Sequence, residues 1–363
     1  MSGVKRPSYG RKLDDFSAGD LYEHPWEVTV DHGMVALFAA AFQDATPTYA
    51  SAAHARGLGF ADRPVHPLLL LNLGLSFSVH DVSEQAIAHL AYIDVRFPQA
   101  CLVGDTLTAS SRVLAVKPTS KGDRGVVEVR TALTTQQGAL VCRFDRKALV
   151  RAGSVQGRPN GAWPAPAEQT DDPAVLPPPL RGRIAPSGRR AGFAGFFEDF
   201  EVGDVIFHPL GKTVGQSEHM MLTQLVRNSH PLHFDEMYCQ ANSFAKTRVV
   251  YGGLVLAWVL ALTSRDVTGN ALWDVGLDQG AHPNGVVAGD TLYASSQVLE
   301  VEDAGPDAGI VTFRVVGTKN ATGEALFLGA GGLFTPELAK EQKIPEKVVE
   351  ISRKVLLRKK PSY

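Results

Sequence analysis

At 363 residues the chain is too long for one ordinary core, and its length favours two domains. A composition of 44% hydrophobic and 20% charged residues is that of a globular protein, which excludes a disordered chain. A formal net charge of −2 supplies no global basic field to attract nucleic acid, so a phosphate-bearing ligand would have to meet local basic residues.

Taken in chain order, a helical pattern over 34–42 is followed by a polar stretch from Asp44 to Tyr49 and an apolar run from Leu68 to Val79. Extended segments then follow near 87–97, 106–116, 126–134 and 139–150. The stretch from Arg151 to Gly195 is crowded with proline, including Pro177, Pro178 and Pro179, and is expected to be an extended linker. Beyond it, Glu218 to Arg227 has helical spacing with Ser217 as candidate N-cap. A polar loop over 228–235 leads to Val249-Val250-Tyr251-Gly252-Gly253 and a buried-helix run from Leu254 to Leu262. Extended segments are expected over 290–301, 310–316 and 324–334, and after Pro336 a Lys/Arg-rich tail reads as solvated and partly helical.

The two series are copies. The eleven residues from Gly104 to Leu114 recur from Gly289 to Leu299, an offset of 185, with two differences. Asp15-Phe16, Gly19-Asp20 and His24-Pro25 recur at Asp199-Phe200, Gly203-Asp204 and His208-Pro209, an offset of 184, and Gly138 pairs with Gly323. The expected domains are therefore 1–151 and 196–335, joined by a linker over 152–195 and followed by a tail over 336–363. An apolar helix followed by antiparallel strands predicts an α+β unit with a sheet wrapped around the helix. Two such units would share one sheet and cover each other's edges.

The sharpest local feature is Asn228-Ser229-His230-Pro231-Leu232-His233-Phe234-Asp235. Histidine exchanges protons near neutral pH, which makes His233 the candidate acid/base. Asn228 can orient a water but cannot accept its proton, so Glu218 and Asp235 are the candidate carboxylates to share that work. Tyr251-Gly252-Gly253 opens a helix, where backbone N–H groups are unpaired and can stabilise an oxyanion, and glycine permits close approach. Arg248, with Arg227 second, is the candidate cation for an acidic ligand group, since a guanidinium fork suits a carboxylate. In the first half Asn228 and His233 align with Asp44 and Tyr49, and Tyr251-Gly252-Gly253 with His66-Pro67-Leu68. Pro67 has no N–H to donate and Leu68 adds a side chain, so this half is expected to be a degenerate site serving as scaffold and acyl-pocket wall. A site combining Asp44 with His233 is the lesser arrangement.

The Asn228–Asp235 segment resembles the D-x-N-P-x-H motif of MaoC-type hydratases, with Pro231 and His233 in register and asparagine in place of the aspartate. Over nearly both halves the chain is similar to the double MaoC-domain mesaconyl-CoA hydratases (β-methylmalyl-CoA dehydratases). That similarity runs through Phe197-Glu198-Asp199-Phe200 with Gly203, Ser217-Glu218-His219-Met220, Asn228, His233, Phe234, Arg248-Val249-Val250-Tyr251-Gly252-Gly253 and the paired Gly-Asp-Thr-Leu strands. The resemblance implies a tandem double hot-dog fold and reversible hydration of a short enoyl-CoA, with His233 and Asn228 catalytic and with Tyr251, Gly252, Gly253 and Arg248 binding substrate. It also implies that asparagine at 228 is compatible with activity. A hot-dog thioesterase and a non-catalytic acyl-CoA-binding subunit are the competing readings.

No cofactor is expected, because neither a metal-ligand cluster nor a nucleotide-binding glycine loop is visible. The expected partner is an acyl-CoA thioester, with no nucleic acid or membrane, and a homodimer is the candidate assembly. Cys101, Cys142 and Cys239 form no disulfide framework, the start carries no secretory pattern, and no apolar run is long enough to span a bilayer, so a cytoplasmic location is expected.

Overall fold

The computed structural model describes residues 9–155, 175–184 and 195–360. Most of the expected linker lies outside the described residues. Of it, Pro178–Leu180 form a single 3-10 turn. Leu180 and Ile184 are buried in the main core, and the Ile184 N–H donates to Asp307 Oδ2 at 3.0 Å.

Five strands belong to the first unit: β1 (Leu21–Thr29), β2 (Ala86–Arg96), β3 (Thr106–Pro118), β4 (Arg124–Thr135) and β5 (Leu140–Arg151). Six belong to the second: β6 (Val205–Phe207), β7 (Lys212–Thr213), β8 (Ala271–Ala281), β9 (Thr291–Asp303), β10 (Ala308–Lys319) and β11 (Lys347–Arg358). They form one sheet in the order β1-β3-β4-β5-β2-β8-β11-β10-β9-β6, with β7 also paired to β9. Each half thus repeats the other, and antiparallel pairing of β2 with β8 joins them, with Tyr92 opposite Gly280 and Val95 opposite Leu277.

Each half wraps its strands around one apolar helix, Pro67–Phe77 or Gly252–Leu262. Every residue of the first is buried, as expected for a helix apolar on all faces. The two helices touch where Gly253 meets Asn72, whose Nδ2 donates to Leu68 O at 2.7 Å and to Gly253 O at 3.2 Å. A Cβ on Gly253 would fall on Asn72 Oδ1 and 2.7 Å from Tyr251 Cζ. Glycine is therefore required there for the helices to approach. Across the same interface Trp258 Nε1 donates to Ala41 O at 3.1 Å and Trp273 Nε1 to Phe97 O at 2.9 Å. One continuous apolar core runs through both units.

The recurring His-Pro pairs have a shared task. His24 bridges Asp81 Oδ2 (3.0 Å) and Ser111 Oγ (2.7 Å), and His208 bridges Asp266 Oδ2 (2.7 Å) and Ser296 Oγ (2.9 Å). Each ties the edge strand or its extension to the sheet and to the segment after the central helix. Both histidines and both serines are buried.

Two expectations are corrected at the C-terminal end. The segment expected as a strand over 324–334 is in part a helix, Gly323–Ala330. The tail expected to be solvated contains β11, a central strand between β8 and β10, buried over nearly its whole length. The repeat slips here: β4 and β10 begin 184 residues apart, whereas β5 and β11 begin 207 apart. The insertion carries the extra helix, and Leu333 and Ile344 form a satellite cluster with Val316. The charges of β11 mislead because they are neutralised within the fold. Arg353 Nε pairs with Asp274 Oδ1 at 2.6 Å, Arg314 with Glu350 at 3.2 Å, and Lys347 with Glu350. Among the described residues no helix is long and apolar enough to cross a membrane.

Candidate active site

The helix expected from Ser217 runs over Gln216–Leu225 with Gly215 at its N-cap. The loop after it leads into a 3-10 turn, Pro231–His233, begun by a proline whose missing N–H costs nothing at that position. The His233 Nδ1–H donates to Val249 O at 2.8 Å, which fixes the tautomer and leaves the Nε2 lone pair free. Burial, with the neighbouring His230 and His219, pulls its pKa down to about 3 despite the Val249 bond, so the ring is neutral. Asn228 is buried, and its Oδ1 accepts the His230 N–H at 3.0 Å. His230 takes the Leu232 N–H on Nδ1 at 3.2 Å, and burial lowers its pKa to about 4.

Tyr251 is the N-cap of the second central helix and makes no capping bond, so the first N–H groups of that helix have no side-chain acceptor. In the first unit the equivalent cap, His66, accepts the Leu68 N–H on Nδ1 at 3.1 Å, and Pro67 follows it. The Tyr251 ring lies 5.4 Å from that of His233, centroid to centroid. Its hydroxyl faces Ser76 and Asn228 without a well-formed bond to either, and burial pushes its pKa up to about 12.

His233, Asn228, Tyr251 and Gly252 line one cavity of about 360 Å³. Gly252 lies close against His282, since a Cβ there would fall 2.9 Å from His282 Nε2. The structure does not bring all the expected residues together. Gly253 is spent on helix packing and lies outside the lining. Arg248 is also outside it: Nε pairs with Glu236 Oε2 at 2.9 Å, and a terminal nitrogen contacts Met220 Sδ. Arg227 is exposed, with φ 65°, just past the helix end. Neither candidate carboxylate reaches the cavity. Glu218 pairs with Lys212 at 2.8 Å, and Asp235 caps the next helix through the Tyr238 N–H at 2.9 Å.

Part of the wall comes from the first unit, including Ser83, His89, Tyr92 and Arg146. Sequence reasoning foresaw a wall there but named none of these residues. His89 and Arg146 sit within strands, where a polar residue ordinarily reads as the solvent face. Across the cavity Tyr92 Oη donates to His282 Nε2 at 3.1 Å, while His282 Nδ1–H donates to Val348 O at 3.2 Å.

The corresponding positions of the first unit are closed. Asp44 pairs with His66 at 3.3 Å and does not line the cavity, which removes the Asp44–His233 arrangement. Burial opposes its ionisation, but the hydrogen bond and charge of His66, with Arg353 and Thr46, hold its pKa at about 2. Tyr49 replaces the histidine, packs on His66 and Trp273, and accepts the Asp274 N–H at 2.9 Å.

Known proteins agree with this architecture. A family model described as mesaconyl-CoA hydratase matches residues 4–194 and 188–330. The chain is 34% identical to a mesaconyl-CoA hydratase of Cereibacter sphaeroides, over 90% of this chain and 94% of that one. It is 30% identical to a beta-methylmalyl-CoA dehydratase of Chloroflexus aurantiacus, over 88% and 91%. Among solved structures, a MaoC domain protein dehydratase from Chloroflexus aurantiacus superposes with a TM-score of 0.83 at 27% identity, covering 99% of this chain and 100% of that one. A Mycobacterium tuberculosis protein described as having a double hot-dog fold gives 0.69 at 20% identity, covering 96% and 98%, and supports the fold alone. The α+β double hot-dog expected from the repeat is the fold observed, and the chain belongs to the mesaconyl-CoA hydratase family.

Proposed function

We propose that the protein reversibly hydrates the double bond of mesaconyl-CoA to give β-methylmalyl-CoA, with His233 as the acid/base. The observation that carries this is the meeting, on one cavity, of a neutral imidazole with a free Nε2 and an uncapped helix start at Gly252. Nε2 takes a proton from water as its oxygen bonds to the β carbon. The electron pair of the double bond moves toward the thioester oxygen, where the Gly252 N–H offsets the developing charge. The imidazolium then returns its proton to the α carbon, so one water is added in all. Asn228 orients the water through its side-chain amide. Among the described residues no aspartate or glutamate lines the cavity, which assigns both proton transfers to the histidine. The same geometry argues against a thioesterase, which needs its base at the carbonyl carbon.

The second unit then supplies the chemistry and the first the acyl wall. The cytoplasm and a homodimer are the corresponding location and assembly, checked by fractionation and by sedimentation.

The test is to incubate the purified protein with mesaconyl-CoA, crotonyl-CoA and itaconyl-CoA and to follow the gain of one water by mass spectrometry. His233→Ala should lower kcat by about 10²-fold or more, the usual scale for a positioned acid/base. Asn228→Asp should retain or raise activity. Release of free thiol without hydration would favour the thioesterase, and an unchanged His233→Ala rate would remove the assignment.

A further inference from the structure

We propose that Arg146 is the specificity-determining residue that receives a second carboxylate on the acyl group, and that the first unit thereby selects dicarboxylyl over monocarboxylyl thioesters. The inference rests on the hydratase reading of the same cavity. It comes from comparing the two halves strand by strand, which the sequence alone does not allow beyond the insertion.

On β2 and β5, Tyr92 stands opposite Arg146 and His89 opposite Ala148. On β8 and β11, Leu277 stands opposite Arg353 and Asp274 opposite Val355. Arg146 and Arg353 are therefore equivalent, and His89 occupies the place of Asp274. Their hydroxyl partners are equivalent too. Arg146 donates to Ser78 Oγ at 2.9 Å, and Arg353 to Thr263 Oγ1 at 3.3 Å, each hydroxyl lying at the C-terminal end of a central helix.

The halves differ in what neutralises the charge. Arg353 is closed by Asp274 at 2.6 Å. Arg146 has Ser78, Ser83 at 3.2 Å and the Ser78 carbonyl at 3.5 Å, all neutral, and its Nε has no partner. It is 3% exposed, yet it lines the cavity, where among the described residues none carries a negative charge. A guanidinium buried without a counter-charge is costly, and a bound carboxylate would complete it as Asp274 completes its twin. Burial without that partner also draws the Arg146 pKa down to about 10. His89, whose two ring nitrogens are buried and unpartnered, is placed to donate a further hydrogen bond. Leu75, Val79 and Val255 supply apolar walls to the same cavity.

The experiment is calorimetric binding of two saturated thioesters that cannot be hydrated, succinyl-CoA and butyryl-CoA. The wild-type protein should prefer succinyl-CoA by about 10-fold or more. Arg146→Gln should weaken succinyl-CoA binding by about 30-fold or more, the scale for truncating one side of a buried charged pair, and erase the preference. His89→Asp should erase it as well, because the introduced carboxylate closes the arginine as in the other half. That variant decides the matter if Arg146→Gln does not fold. A wild-type protein without the preference, or a folded variant that keeps it, would overturn the proposal. A preference for succinyl-CoA in a protein that hydrates no enoyl-CoA would overturn the hydratase reading and leave Arg146 as a carboxylate receptor.

Discussion

Lowering the pH from 7.5 to 5.5 should unfold this protein far more readily than carboxylate chemistry would allow. Four imidazoles on the cavity are held neutral by burial: His230 and His282 at about 4, His233 at about 3, and His89 well below its usual value. In the unfolded chain each binds a proton below about pH 6.5, whereas the folded state excludes it. The unfolded state therefore binds more protons, and stability falls as pH falls. It is fully present above about 6.5 and is lost progressively below it. Each group contributes a slope of about 1.4 kcal/mol per pH unit once its unfolded form is charged, so four give about 5–6 kcal/mol per unit. Against a total stability of about 5–15 kcal/mol, unfolding is expected roughly one to three units below pH 6.5. The ion-paired Asp44, at about 2, adds to the loss only in more acidic solution. Urea unfolding at pH 7.5, 6.5 and 5.5, with proton uptake on unfolding measured at pH 5.5, reads the effect directly. Uptake of at least about three protons is expected, since His24, His54 and His219 are also pulled down by burial, and activity per folded molecule should show no titration near 6.5. Stability unchanged from pH 7.5 to 5.5 would refute the neutral-imidazole account of the cavity.

Gly253→Ala should destabilise the fold by about 1–3 kcal/mol, the range for overpacking a core, because its Cβ meets Asn72 and Tyr251. A urea midpoint equal to wild type would show that the central helices do not need that contact. Truncation after residue 346 should abolish cooperative unfolding, since it deletes β11 and leaves one edge each of β8 and β10 without its partner in mid-sheet. A well-folded truncated chain would return the C-terminal segment to the solvated tail that its charge suggests.

The duplicated Gly-Asp-Thr-Leu strands, the two apolar helices and the Asn228–His233 loop were legible because each depends on residues close in sequence. Periodicity marks a buried helix, and proline beside histidine marks a tight turn. The difference between the two helix starts was legible as well, since Pro67 cannot offer the N–H that Gly252 can. What the sequence misassigned depends on partners distant in the chain. Lys347, Glu350 and Arg353 look solvated until their counter-charges are brought to them across the sheet. Arg248, beside the glycine turn, looked free until Glu236 claimed it. Arg146 and His89 looked like solvent-facing strand residues until the two units shared one sheet and turned them into the cavity. Local pattern fixes which elements form. Which charges are left unpaired inside the protein is decided only when the elements pack, because burial and counter-charge belong to the assembled fold and to no single segment of it.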